Sequence, residues 1–187
     1  MVGNDIVDLL EAKASPNWQT PRFLEKLFTI NEQSLILNSK NSFENIWQLW
    51  SMKEAAYKLY VQTNPCRFYN PKAFECSFIN GRPRVKFQDF ECILSTVKTP
   101  NYILSEARLD KASLTSKVIK LAGQNQKNRS EETKLALLQH ISKTCPISKQ
   151  NPVFQKNEFG IPLVNHISKQ FSVSLSHHGS YGAFAVA

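Results

Sequence analysis

Three polar clusters interrupt apolar segments of this 187-residue sequence, and the first is a pair of acids near its start. Asp5 lies with Asp8 in the run VGNDIVDLL, whose β-branched and apolar residues predict a strand over residues 2–10. A carboxylate in a buried strand needs a partner, because an unpaired buried charge is costly. Two interpretations stay open for Asp5: an ion pair or hydrogen bonds with a neighbouring loop, or a ligand for a hard cation.

The second cluster, Lys53-Glu54 with Lys58, lies in the segment SFENIWQLWSMKEAAYKLYVQ. Apolar residues at helical spacing predict a helix over residues 42–62, so Glu54 and Lys58, four residues apart, share one face. An exposed salt bridge worth about 0.3 kcal/mol is one interpretation. The other is a glutamate and a lysine on a mostly buried helix that bind a metal and a phosphate together. The aromatic residues that crowd this helix favour the second.

The third cluster is the segment FSVSLSHHGSYGAFAVA, in which serines alternate with apolar residues before two histidines and a glycine. Hydroxyls, imidazoles and loop amides at the end of a strand suit phosphate binding, although a histidine pair is more often structural than ligating. A hydrolase triad is excluded for Ser176 and His177. The sequence has no GxSxG elbow, and adjacent residues of a strand point apart.

Local patterns predict the elements that must position these clusters. Helices are predicted over residues 22–28, 31–38, 42–62 and 130–143. Strands are predicted over residues 2–10, 73–79, 84–88, 91–97, 102–108, 152–156, 161–165, 171–176 and 181–186. Asn80-Gly81 predicts a hairpin turn. Residues 111–122 fit a strand or a helix, and residues 123–130 predict a loop. The class is therefore α+β with largely antiparallel strands.

Composition narrows the class of protein. Apolar residues make up 42% and charged residues 20%, as in an ordinary globular protein, and no apolar run approaches the length of a membrane span. The N-terminal segment has acids and no basic region, so it does not predict a secretory signal. The four cysteines (Cys66, Cys76, Cys92, Cys145) form no CxxC pair, which disfavours zinc and favours reduced thiols in a cytoplasmic protein.

The net charge of +8 favours a polyanionic partner: nucleic acid, an acidic membrane, a phosphorylated ligand or an acidic protein. A solvated basic face without a partner explains the charge equally well. A nucleic-acid binder is the weakest of these readings, because no RNP-like aromatic motif, helix-turn-helix signal or zinc pattern is present. We therefore expect neither a nucleic acid nor a membrane as the partner.

Taken together and in this order, three segments resemble the signature segments of the 4′-phosphopantetheinyl transferase superfamily, of the holo-acyl-carrier-protein synthase type. They are GNDIVDL at 3–9, IWQLWSMKEAAYKLY at 46–60 and SVSLSHHGSYGAFAV at 172–186. The resemblance implies the family's α+β fold, with two similar lobes of an antiparallel sheet and a helix. We expect a single domain over residues 1–187, with approximate lobes 1–110 and 111–187.

The resemblance also implies an activity. Family enzymes transfer the 4′-phosphopantetheine arm of coenzyme A to a serine of an apo carrier protein, and they release adenosine 3′,5′-bisphosphate. Attack on a diphosphate needs a divalent cation, a base and cationic groups, and Mg²⁺ suits this role. Asp5 and Glu54 match the metal ligands of the family. Glu54 also matches its catalytic base, and Lys58 matches its catalytic lysine. The residues matched to coenzyme A binding are Lys53, Lys58, Ser176 and His177.

Three positions depart from the family pattern. Val7 stands where larger members often have a third acid, which leaves a water or Asp8 to complete the metal shell. Asp8 points away from the face of Asp5 in an ideal strand. We therefore expect it at most to contact and support the metal ligands, without binding the metal itself. Ile161 stands in place of a lysine between Gly160 and Pro162, and His178 stands where a second serine is frequent; the first of these changes removes a cationic contact.

The element order resembles a permuted two-lobed member with its site between the lobes of one chain. A monomer is favoured, with a trimer as the alternative. The expected partners are coenzyme A and an acidic acyl or peptidyl carrier protein of lipid or secondary-metabolite biosynthesis. The rival interpretation is a non-catalytic module of the same fold that binds coenzyme A or a carrier protein without transferring the arm.

Overall fold

Antiparallel strand pairing divides the chain into two lobes, each a five-stranded sheet with one long helix packed against it. The computed structural model describes residues 1–66, 70–109, 114–123, 125–144 and 150–187. The predicted class, α+β with two similar antiparallel-sheet-plus-helix lobes, is confirmed. The predicted lobe boundary at residues 110 and 111 and the predicted thiol of Cys145 fall outside the described residues.

The first lobe has strand order β1-β5-β4-β3-β2. Its elements are β1 (Gly3–Asp8), α1 (Leu9–Ala14), α2 (Pro21–Leu27), α3 (Ile30–Leu37), α4 (Ser42–Thr63), a 3-10 turn (Pro71–Ala73), β2 (Glu75–Ile79), β3 (Arg82–Phe87), β4 (Phe90–Lys98) and β5 (Tyr102–Arg108). The 22-residue helix α4 packs across the sheet and contributes seven of the 21 buried residues in the core cluster of this lobe. Asn80 and Gly81 both have positive φ angles and form the predicted hairpin turn.

The second lobe has strand order β6-β10-β9-β8-β7. Its elements are β6 (Thr115–Lys120), α5 (Gln126–Thr144), β7 (Val153–Lys156), β8 (Pro162–His166), β9 (Lys169–His178) and β10 (Tyr181–Val186). Helix α5 lies against β9 and β10 and buries Leu137 and Ile141 against Val173 and Phe184. The second lobe therefore repeats the arrangement of the first, with α5 in the place of α4.

Side-chain caps account for most differences from the predicted boundaries. Strand β1 ends at Asp8, two residues early, because the Asp8 carboxylate accepts hydrogen bonds from the next turn and starts the unpredicted helix α1. Asn41 caps α4, which begins at residue 42 as predicted. Helix α5 begins at Gln126, inside the predicted loop, where Asn125 accepts a hydrogen bond from the N–H of Asn128. The ambiguous segment 111–122 contains strand β6.

The two sheets meet where the free edge of β1 lies against a face of β9. The N–H of Asn4 donates to Ser174 Oγ and the N–H of Asp8 donates to His178 Nδ1, both at 3.0 Å. Side chains of β9, and not a backbone ladder, therefore satisfy outward amides of this edge strand. Beside them, a small apolar cluster around Ile6 completes the lobe junction.

Burial explains the chemistry of the cysteines that the structure describes. Cys66, Cys76 and Cys92 are free thiols, of which the last two are buried. Burial raises the pKa of Cys92 to about 12 and the pKa of Cys76 well above its usual value, so both stay protonated. Among the described residues, no helix combines the length and the apolar character needed to span a membrane.

The close approach of β1 to α4 depends on Gly3 and yields a stability prediction. A Cβ atom on Gly3 would overlap the carbonyl oxygen of Ala55 and lie 2.8 Å from the amide nitrogen of Leu59. Since both are backbone atoms, we expect Gly3→Ala to lower the free energy of unfolding by about 3 kcal/mol. Urea denaturation followed by circular dichroism measures this value.

Gly81→Ala is the matched control for this substitution. Gly81 has open space around it and a φ of +74°, so alanine there costs only the left-handed conformation, about 1 kcal/mol. Equal losses for the two variants would contradict the proposed contact between β1 and α4.

Candidate active site

The buried carboxylate of Asp5 is paired with Lys58, which reaches across from α4 to β1. Lys58 Nζ donates to Asp5 Oδ1 at 2.8 Å and to the carbonyl oxygen of Asn4 at 2.9 Å. The Asp5 side chain is 12% exposed and the Lys58 side chain 28%. The partner that Asp5 needs is therefore the lysine of the helix motif, and the first and second sequence clusters lie in direct contact.

Burial disfavours the ionised form of the Asp5 carboxylate, and nearby basic groups oppose this effect. Burial raises the pKa of Asp5 above its usual 3.8, while Lys58, His178 and His177 act in the opposite direction. Since burial is the largest of these effects, the folded protein holds a proton on Asp5 more tightly than the unfolded chain does. This carboxylate therefore gains from any further positive charge brought to it, such as a divalent cation.

Glu54 lies one turn before Lys58 on the same face of α4, as the spacing predicts. It is half-buried, and its charge acts on Tyr57. Burial, Cys66 and Glu54 together raise the pKa of Tyr57. Tyr57 and Cys66 line the large cleft described next, whereas Glu54 itself is not among the residues that line it.

A cleft of about 580 Å³ opens beside Lys58 and runs between the two lobes. His177, on β9, lies on the wall that the second lobe contributes. The pKa of His177 is lowered by burial and by Lys58, Arg129 and His178, with Asp5 opposing, so the imidazole is neutral at neutral pH. The third sequence cluster thus reaches the same cleft as the second, within one chain.

Lys134 and Lys156 also line this cleft, and sequence reasoning assigned them no role. Lys134 belongs to α5, lies 5.3 Å from the ring centre of Phe154 and pairs with Glu131 at 3.2 Å. Lys156 ends strand β7. With Lys58, three lysines surround a space that Glu131 opposes with one negative charge, so the cleft favours a polyanion. The sequence signal for them was the net charge of +8, which singles out neither residue.

Ser176 lies on the same face of β9 as Ser174 and His178. Ser176 is 5% exposed, does not line the cleft and has no hydrogen-bond partner for its hydroxyl among the described residues. Its neighbour Ser174 does line the cleft. Hence the position of Ser176, at the lobe junction, does not bring its hydroxyl to a ligand in the cleft.

Asp8 acts in the lobe junction and not in the cleft. One carboxylate oxygen caps α1 by accepting from the N–H groups of Leu10 and Glu11, and the other accepts from the N–H of Ser180 at 2.8 Å. Gly179, with a φ of +54°, has no room for a side chain beside this carboxylate. Both Asp8 oxygens are engaged in the fold, as expected for a residue that points away from the face of Asp5.

The structure places Lys53 in the interior of the first lobe, and its predicted contact with coenzyme A stays a prediction. The Lys53 side chain is completely buried, and it bonds to Glu32 at 2.8 Å and to the carbonyl oxygen of Phe74 at 2.6 Å. It does not line the cleft. The sequence could not reveal this partner, because Glu32 lies in a different helix, 21 residues earlier in the chain.

The carboxylates fit a metal that is bound together with its substrate. Within the described ranges, no group of three or more His, Cys, Asp or Glu side chains is arranged to hold a metal ion. Asp5 and Glu54 supply two carboxylates, and Mg²⁺ commonly takes one or two carboxylates and completes its shell with substrate phosphates and water. The donor set therefore suits Mg²⁺ brought with a diphosphate better than a metal held by protein ligands alone.

Comparison with known proteins agrees with this site. Residues 1–113 match the sequence model of the 4′-phosphopantetheinyl transferase superfamily, which is more than half of the chain. The matched region includes Asp5, Glu54 and Lys58, whereas His177 lies beyond it. No curated protein matches this sequence.

Asp5 and Asp8, three residues apart in one strand, should affect stability with opposite sign. The pKa of Asp5 in the folded protein lies above its usual value of 3.8. As pH rises from 3.8 through the folded value, the contribution of Asp5 to the free energy of unfolding therefore falls. We therefore expect Asp5→Asn to be at least as stable as the wild type at pH 7, with its advantage growing across that window.

Asp8→Ala is the matched control, and it should lose about 1–2 kcal/mol at pH 7 because the cap of α1 and the bond to Ser180 are removed. Urea denaturation at several pH values between 3.5 and 7.5 tests both variants. A large loss of stability in Asp5→Asn at pH 7 would mean that its pairing with Lys58 outweighs burial.

Proposed function

Because the chain belongs to the 4′-phosphopantetheinyl transferase superfamily, we propose that it transfers the 4′-phosphopantetheine arm of coenzyme A to a serine of an apo carrier protein. The reaction would depend on Mg²⁺ and release adenosine 3′,5′-bisphosphate. The observation that carries this proposal is the Lys58–Asp5 pair, 2.8 Å apart, beside a lysine-rich cleft that both lobes line.

Each cationic residue of the cleft has a position suited to a phosphate of coenzyme A. Lys58 keeps more than a quarter of its side chain accessible while it holds Asp5, so its ammonium group can also bind a diphosphate oxygen. Lys134 and Lys156 supply further charge on the second lobe. They also offset the missing lysine at Ile161, which lines the same cleft.

The proposed chemistry is a displacement at the β-phosphorus of coenzyme A. The serine oxygen of the carrier forms a bond to this phosphorus, and the bond to the bridging oxygen breaks. That oxygen leaves with the α-phosphate as part of adenosine 3′,5′-bisphosphate. The serine proton passes to Glu54, directly or through a water, and Lys58 balances charge on the departing oxygen.

Asp5 and Glu54 are the residues that would hold Mg²⁺. When bound, the ion would neutralise part of the diphosphate charge and so reduce the electrostatic repulsion between the diphosphate and the two carboxylates. The chain itself pairs Asp5 with Lys58, and it places Glu54 one helical turn before that lysine. Both lobes of one chain border the cleft, so we propose that a monomer suffices.

The partner proposed here is an acidic carrier protein, which the net charge of +8 would attract. We also propose a cytoplasmic location, where the free thiols of Cys66, Cys76 and Cys92 would stay reduced. The pathway that the carrier serves, in lipid or in secondary-metabolite biosynthesis, is to be identified by the carrier panel described next.

A transfer assay tests the proposal directly. The protein is incubated with coenzyme A, Mg²⁺ and a panel of apo carriers, and mass spectrometry detects the added arm on serine. We expect wild-type transfer and a loss of about 10²- to 10⁴-fold in Glu54→Gln, because the base and one metal ligand are removed together.

Glu44→Gln, on the first turn of the same helix, is the matched control and should keep full activity. Binding of coenzyme A by the wild type without transfer to any carrier would favour the non-catalytic module. Failure to bind either coenzyme A or any carrier protein of the panel would reject both interpretations.

Coenzyme A binding should also take up protons through His177. Its pKa lies below the usual 6.5 in the free protein, and a bound phosphate would raise it by favouring the imidazolium form. We expect net proton uptake between about pH 6 and 7, measured by calorimetry in buffers of different ionisation enthalpy.

In His177→Gln this uptake should disappear and affinity for coenzyme A should fall. His140→Gln, on α5 and away from the cleft lining, should leave both unchanged. Proton uptake that persists without His177 would place the phosphate elsewhere.

A further inference from the structure

We propose that Glu32 and Lys53 are positioning residues, which fix the rotation of α4 and so direct Glu54 toward the diphosphate of coenzyme A. This inference rests on the proposed function, because it assumes that Glu54 acts on Mg²⁺-bound coenzyme A. It replaces a ligand contact for Lys53 with an indirect role in the interior of the first lobe.

The buried pair ties three segments together. Lys53 Nζ lies 2.8 Å from Glu32 Oε1 and 2.6 Å from the carbonyl oxygen of Phe74. The same Glu32 oxygen accepts from the N–H of Cys76 at 2.7 Å, and the other accepts from the N–H of Thr29 at 2.8 Å. Both charged side chains are completely buried. The start of α3, the middle of α4 and the edge strand β2 therefore meet at one carboxylate.

A second tie holds α4 at the opposite edge of the same sheet. There Lys58 bonds to Asp5 and to the carbonyl oxygen of Asn4 on β1. Lys53 and Lys58 are five residues apart, so their side chains leave the helix about 140° from one another. Strands β1 and β2 are the two ends of the five-stranded sheet, and α4 is thus held on both sides.

Glu54 lies between the two ties. It follows Lys53 directly and leaves the helix about 40° from Lys58. A rotation of α4 that changed the direction in which Glu54 leaves the helix would have to break the Lys53 tie, the Lys58 tie or both. The direction of this carboxylate is therefore set by two lysines on either side of it.

Orientation, and not stability, is the property that such a pair controls best. A buried ion pair contributes little net stability compared with apolar side chains of the same volume, because desolvation offsets the attraction. Its hydrogen bonds are nevertheless directional, and here they engage fixed backbone groups of Phe74 and Cys76. Removing both charges together should leave a folded lobe in which α4 is less firmly oriented.

The test measures coenzyme A binding by the double variant Glu32→Gln/Lys53→Met, in EDTA and in Mg²⁺, by calorimetry. Both charges are removed at once, so no uncompensated charge stays buried. Because Lys53 does not touch the cleft, we expect affinity in EDTA to stay within about twofold of the wild type. The tightening of binding by Mg²⁺ should fall at least about fivefold, since Glu54 is displaced.

Transfer supplies a second readout. A displacement of Glu54 by about 1 Å would lower kcat about 100-fold, while KM for coenzyme A stays near the wild-type value. A lysine that contacted coenzyme A would instead raise KM and weaken binding in EDTA. The two roles of Lys53 are thus separated by which constant changes.

Two further variants complete the design. Val85→Ala removes buried volume from β3 of the same lobe and should destabilise the protein without changing the effect of Mg²⁺ on binding. Glu54→Gln should lose that effect outright, and adding the double substitution to it should change little more. Such non-additivity is the signature of residues that act through Glu54.

Three outcomes measured on the variants would overturn the inference. They are weaker coenzyme A binding by the double variant in EDTA, an unchanged Mg²⁺ effect in a folded double variant, or an additive loss on top of Glu54→Gln. Absence of any Mg²⁺ effect in the wild type would overturn it as well. If the wild type shows the Mg²⁺ effect but modifies no carrier, the proposed transfer fails while the positioning role of Glu32 and Lys53 stands.

Discussion

A negative charge on Asp5, in a strand with little access to solvent, is the constraint that organises the site. Such a charge is tolerated only where opposite charge is close, and α4 meets this need by placing Lys58 on it. Gly3 allows the helix to approach β1 closely enough for the lysine to reach. The ion pair, the close packing and the exposed ammonium group at the cleft therefore depend on one another.

Strand β9 serves two purposes, and Ser174 takes part in both because it bonds to β1 and also lines the cleft. Ser174 and His178 accept hydrogen bonds from the edge of β1, and they hold the lobes together. His177, on the opposite face from His178, lines the cleft. The two adjacent histidines thus have different roles. His178 joins the lobes, and His177 is available to a ligand. A change of register by one residue would exchange these roles.

Local patterns predicted the elements well and the pairings poorly. The helix over residues 42–62, the turn at Asn80-Gly81 and the strands of both lobes follow from spacing and turn chemistry that neighbouring residues determine. The face shared by Glu54 and Lys58 follows from helical geometry alone. The partner of Lys53 and the lysines contributed by the second lobe depend on which segments meet in space, and no local pattern encodes that meeting.

The side chains that cover the edge of β1 also bear on how the chain is made. Asn4 and Ser174 are separated by 170 positions, so the first sheet can pair its own strands long before its cover has been synthesised. During that interval a nascent chain displays an open strand edge, which is a template for strand addition by other polypeptides. Shielding of this edge during synthesis would therefore favour the yield of folded protein.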